Sequence, residues 1–197
     1  MPPCIELHIL DRQTMQKLAV IEIQDGQSSI PILDTVVEIL VSQGIVVAGY
    51  LQREFPGNGN AISDTMLEDI ETGEQFGIMQ ALGSSATSCR LDTQALAHIA
   101  GRVVARLERP ADILVLNRFG KAEAEGHGLR AVLEMAIEQD IPVLTSVGLS
   151  YLEDWRNYVG DLAVHFPPDV PVVLDWCRSM TTPSSRSTTF VPLRSLT

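Results

Sequence analysis

Cysteine is scarce in this 197-residue sequence, with three residues at positions 4, 89 and 177. So small, odd and widely spaced a set reads neither as a disulfide framework nor as a zinc site with paired ligand spacing. Long hydrophobic runs are missing too: no apolar stretch approaches the roughly 20 residues needed to cross a bilayer. The opening residues, MPPCIELHILDRQTMQ, lack the charged-then-apolar build of a secretory signal. A cytoplasmic protein without membrane insertion is therefore expected. Basic residues are outnumbered, 14 Lys and Arg against 25 Asp and Glu, for a net charge of −11. Nucleic-acid surfaces need concentrated Lys and Arg, so none is expected. One small anion, held by backbone N–H groups and a local Arg, remains compatible with that charge. No serine sits in a G-x-S-x-G elbow. None of the histidines (His8, His98, His127, His165) has an acid or thiol at metal-ligand spacing.

What is present is ordinary for a globular chain, 45% hydrophobic and 20% charged. The length suits one domain with a full core. The most informative stretch is residues 111–147, ADILVLNRFGKAEAEGHGLRAVLEMAIEQDIPVLTSV. An apolar run over 113–116 stops at a polar loop, Asn117-Arg118-Phe119-Gly120-Lys121-Ala122-Glu123. A helix-periodic segment follows, then a second apolar run over 141–147. Runs this apolar suit strands buried on both faces of a parallel sheet. Ligands of open parallel sheets sit beyond the carboxyl ends of the strands, which makes the cluster from Asn117 the first candidate site.

Elsewhere, 17–23 reads as a first strand and 24–29 as a loop. Residues 30–42 read as a helix that Ser28 or Ser29 could cap, with Pro31 tolerated in its first turn and Gly44 placed to end it. A strand is expected over 45–51 and a loop over 53–61. Two short runs flank Glu71-Thr72-Gly73-Glu74 as a hairpin. Residues 81–89 read as a loop and 91–107 as a helix with Asp92 in its first turn. A short helix over 151–158 and a last helix from Asp169 through Cys177 complete the body. Together these predict an α/β class, a three-layer, mostly parallel sheet with an inserted β-hairpin. Residues 1–16 read as a lead-in, 17–178 as a single domain and 179–197 as a polar tail.

A nucleotide hydrolase on this frame would carry G-x-x-x-x-G-K-[ST] between its first strand and helix. That position reads Gln24-Asp25-Gly26-Gln27-Ser28-Ser29-Ile30-Pro31, with one glycine, no lysine, and an acid where anions would approach. The region from about Ser88 to Val147 resembles a bacterial family known only as a domain of unknown function. The likeness extends over most of 17–178 and is most specific through NRFGKAEAEG. Family members are often encoded near molybdate-uptake genes. That family is in turn similar to small P-loop nucleoside-triphosphatases of the THEP type, whose third buried strand is followed by Asp-Glu-Ile-Gly-Lys-Met-Glu. The matching segment here is Asn117 to Glu123. Where the enzymes have an acid that assists magnesium, this chain has the neutral Asn117. Where they have the neighbouring water-activating acid, it has Arg118. With the phosphate-loop lysine also missing, the resemblance implies a shared P-loop-NTPase-like fold and site location, and hydrolysis is not expected.

On these readings Asn117 orients a ligand or ties the loop backbone, and Arg118 binds an anion by its forked guanidinium or is solvated. Gly120 permits a tight turn, and Lys121 completes an anion site or faces water. Glu123 and Glu125 favour a helix start, with Glu123 matching the family glutamate. Arg130 points back to the site or pairs with Glu123 or Glu134. Cys89, beside Arg90 and Asp92, is a reactive thiolate or a small buried residue. The expected function is a non-catalytic, pseudo-NTPase binder of a small anion or nucleotide-like ligand, regulatory or molybdenum-associated. Its ligand would be an oxyanion such as molybdate, tungstate or phosphate. Backbone N–H groups at the helix start, with Arg118 and Arg130, would form the receptor. The competing expectation is a divergent triphosphatase or phosphotransferase using Asp25, Glu123 and Asp92. A third is a homo-oligomeric scaffold with Trp155, Tyr158 and Trp176 as its contact surface.

Overall fold

The computed structural model describes residues 16–55, 64–80 and 90–181. Cys4, Cys89, the loop expected over 81–89, most of the lead-in and residues 182–197 of the tail lie outside the described residues. In chain order the elements are β1 (Leu18–Ile23), α1 (Ile30–Ser42), β2 (Val47–Phe55), β3 (Asp64–Asp69), β4 (Gln75–Gly77), β5 (Met79–Gln80) and β6 (Arg90–Leu91). They continue with α2 (Thr93–Leu107), β7 (Ile113–Phe119), α3 (Lys121–Ala124), α4 (Arg130–Glu138) and β8 (Val143–Gly148). The last three are α5 (Leu152–Val159), β9 (Ala163–Phe166) and α6 (Val170–Thr181).

Seven strands form one sheet in the order β4-β3-β2-β7-β8-β1-β9. The five strands from β2 to β9 run parallel, and the β3–β4 hairpin extends the β2 edge antiparallel. A parallel sheet has both faces covered by helices, so each strand must be apolar at successive positions. Val20, Leu114 and Leu116 pack into one core with Leu96 and Ile99 of α2, Val132 and Leu133 of α4, and Trp155 of α5. Their neighbours Ala19, Ile21, Ile113 and Val115 pack into the other, against Leu33, Val36 and Leu40 of α1 and Val173 and Leu174 of α6. The architecture is a three-layer α/β fold of P-loop-NTPase-like type.

Several boundaries differ from the sequence reading. β7 continues through Asn117, Arg118 and Phe119 instead of yielding to a loop at Asn117. Phe119 is buried and meets Trp155 edge-on at 5.1 Å, and it re-pairs with Val147 of β8 after an irregularity in the register between Leu116 and Phe119. β2 likewise runs on to Phe55, because β3 pairs with it residue for residue from Tyr50↔Asp69 to Phe55↔Asp64. α2 begins at Thr93, and Asp92 is its N-cap, its carboxylate accepting from the Gln94 and Ala95 N–H groups. Leu91 belongs to β6, not to the helix. The helix expected between the two apolar runs is broken into α3 and α4. α6 extends to Thr181, past the helix end expected at Cys177. Trp155 and Trp176 are buried in opposite cores, so they cannot share one external contact surface.

Candidate functional site

The carboxyl ends of β7 and β8 and the start of α1 converge on a small buried polar cluster. Ser29 holds the N-cap position of α1 but does not cap it with its side chain. Its hydroxyl instead donates to Asn117 Oδ1 at 2.9 Å. Ser146 Oγ lies 2.9 Å from Ser29 Oγ and 3.0 Å from Asn117 Oδ1. All three residues are buried. Asn117 thus ties α1 to β7 and β8, a tertiary link across 88 residues of sequence. Its Nδ2 has no hydrogen-bond partner among the described residues, and Asn117 lines the large cavity described below.

Glu123 is buried as well, and its two carboxylate oxygens are fully engaged. One accepts from the Gly120 N–H and the other from the Leu129 N–H, each at 3.0 Å. The carboxylate therefore sits where an external anion would have met the N–H groups of this loop. The break between α3 and α4 exists to admit it. Gly128 has φ +64°, and a Cβ built on it would lie 2.2 Å from Glu123 Oε1. Only glycine allows both the left-handed backbone and the close approach.

The remaining candidates separate. Arg118 is exposed, makes no ion pair among the described residues, and lies between two openings. Lys121 faces water with a loose 3.8 Å contact to Glu125. Arg130 lies apart from both openings, stacked 3.9 Å over the Tyr158 ring with Nε 3.4 Å from Glu134. Burial and the nearby Glu134 carboxylate push the Tyr158 phenol up to about 12. Asp92 is spent on capping α2, although its neighbour Thr93 reaches the cavity.

The first opening is a cavity of about 550 Å³ between the loop after β7, the start of α2 and the hairpin. Leu67, Ile78, Met79, Leu96, Ala122 and Leu129 give it an apolar floor. Gln52, Thr65, Thr93 and His127 add polar groups, and Arg118, Lys121 and Glu125 supply charge. The hairpin's contribution is the part that sequence reasoning missed. Thr65 and Leu67 alternate with residues of the other face in a short strand, and only the pairing of β3 with β2 brings them to the loop after β7.

The second opening lies where a phosphate loop would be, between β1 and α1. It is a recess of about 40 Å³ lined by residues of the 24–29 loop, Arg118, Ser146 and Gly148. Asp25 crosses it to bond Ser150, through the hydroxyl at 2.6 Å and the N–H at 3.2 Å. These bonds, with a smaller contribution from Arg118, hold the Asp25 carboxyl below its ordinary range. A space of that size holds a few waters, not a triphosphate. Among the described residues no cluster of three or more His, Cys, Asp or Glu could hold a metal.

A three-layer parallel α/β sheet with its polar residues gathered at the carboxyl ends of the central strands defines the class: a P-loop-like protein. The chain belongs to the family described as "Protein of unknown function (DUF2478)", whose model matches residues 18–176. It is similar to "Molybdenum import ATP-binding protein ModC 2" of Bradyrhizobium diazoefficiens, 34% identical over 139 residues. That alignment covers 71% of this chain but 16% of the ModC protein, so most of the relative has no counterpart here. No solved structure is a significant match. No helix among the described residues is long and apolar enough to cross a membrane.

Proposed function

We propose that this protein binds a small anionic ligand at the loop after β7, does not hydrolyse nucleoside triphosphates, and acts as an accessory or regulatory protein in molybdenum handling. The observation that carries the reading is Arg118. It is a solvent-facing guanidinium with no ion pair among the described residues, at the carboxyl end of a central strand and on the edge of the large cavity. A planar fork of donors in that setting suits a phosphate, carboxylate or tetrahedral oxyanion. Against hydrolysis stand the missing phosphate-loop lysine and the 40 Å³ recess crossed by Asp25. The molybdenum part rests on likeness to the import protein alone, and the ATP binding in that protein's name need not reside in the aligned portion. In this reading residues 17–178 act as one cytoplasmic domain.

The test is thermal melting with molybdate, tungstate, sulfate, phosphate and ATP·Mg, run beside an assay for released phosphate. A ligand that prefers the folded state raises the melting temperature. We expect stabilisation by at least one anion without phosphate release. We also expect Arg118→Ala to keep the parent melting temperature in buffer while losing most of that stabilisation. Equal titrations of parent and Arg118→Ala would move the site elsewhere. Sustained magnesium-dependent phosphate release from ATP by the parent protein would replace this reading with that of an enzyme.

A further inference from the structure

The large cavity is far bigger than a bare oxyanion needs, and its composition is divided. A tetrahedral oxyanion occupies about 60 Å³, roughly twice the share of one water in the liquid. The cavity measures about 550 Å³, inside the range of roughly 300–1,000 Å³ typical of organic-ligand sites. Its floor includes Leu67, Ile78, Leu96 and Leu129, all buried yet facing this space. Arg118 and Lys121 lie on the same wall as the buried Asn117, whose Nδ2 is without a partner among the described residues. Glu123 lines the cavity too, but both its oxygens are held by backbone N–H groups. Lys121 faces water with a loose 3.8 Å contact to Glu125, whereas Arg118 makes no ion pair among the described residues, so the anionic group is placed on Arg118.

Resting on the anion-binding reading above, we propose that the ligand is an organic anion: a flat or apolar body of ring size or larger, carrying one phosphate, sulfonate or carboxylate group. The body lies against Leu67, Ile78, Met79 and Leu96, the anionic group meets Arg118, and Asn117 Nδ2 donates to an acceptor on the body. A bare inorganic anion would use Arg118 and make no contact with the apolar floor. Covering that floor should add the transfer free energy of the ring to the affinity.

The probes are 1-naphthyl phosphate, inorganic phosphate and neutral 1-naphthol, titrated calorimetrically against the full chain. We expect 1-naphthyl phosphate to bind roughly tenfold or more tightly than inorganic phosphate. Arg118→Ala should weaken both phosphates. Met79→Gln, a half-buried substitution of similar length, should remove most of the naphthyl advantage and leave inorganic phosphate unchanged. The wild-type affinity ratio stands as a test even if that variant does not fold. Inorganic phosphate binding as tightly as the naphthyl ester would overturn the organic-ligand proposal and keep the Arg118 site. Naphthol binding as tightly as the ester, with no effect of Arg118→Ala, would overturn both.

Discussion

Glu123 is a carboxylate used as an internal anion. Its oxygens satisfy the Gly120 and Leu129 N–H groups, which a buried loop could not leave unpaired. Glu123→Ala should lower stability by ~2–4 kcal/mol, since it orphans two donors at once. In a chain of this size that is a fall in Tm of roughly 5–15 °C, readable by calorimetry. Gly128→Ala should cost a similar amount by displacing the same carboxylate. If the two changes are combined the losses should fall well short of adding, because they break one contact. Cys177 offers a check of the core. Burial pushes its thiol up to about 12, so native protein at pH 8 should resist alkylation there while denatured protein reacts. Rapid native modification at Cys177, seen by mass spectrometry, would contradict its burial.

At the scale of elements, the long periodic segments were legible. α1 was read residue for residue, and β1, β8 and the hairpin turn within two residues, because their apolar periods are strong. β9 was not read at all. Its four residues, AVHF, carry too short a pattern, and it exists because β1 offers a parallel edge in the register Leu18↔Ala163 to Ile21↔Phe166. β5 and β6, two residues each, are likewise set by their mutual pairing. β2 depends on Gly49, whose φ is +124° and where a Cβ would lie 1.8 Å from the Val115 carbonyl oxygen of β7. Gly49→Ala should open the β2–β7 pairing and cost more than about 4 kcal/mol, seen as loss of folded, soluble protein on expression. Folded Gly49→Ala protein with the parent melting temperature would mean that β2 and β7 meet differently.

Across the whole molecule, the two cores differ in what they leave open. The α1–α6 side closes over the sheet, whereas the side bearing α2 and the hairpin leaves the 550 Å³ cavity beside Asn117. The Asp25–Ser150 bond links the loop after β1 to the turn after β8 and carries a pH signature. Asp25 titrates lower in the folded state than in the unfolded chain. Its tie is therefore intact above the unfolded value and is lost as pH falls through the lowered one. Asp25→Asn should therefore lower stability in the neutral range, where the tie is intact, change it least at the acid end, and so flatten the acid limb of a stability-versus-pH curve.

By itself the sequence determined the class of the fold, the absence of a phosphate-gripping lysine, and the place to look, because apolar period and strand-end polarity are local properties of the chain. It pointed at Asn117, Arg118 and Glu123 without telling them apart. Only the tertiary structure separated an amide bonded to two distant serines, a guanidinium left for solvent, and a carboxylate folded back on its own loop. Those roles depend on distances between residues as many as 117 positions apart, such as Ser29 and Ser146, and no local pattern encodes such distances.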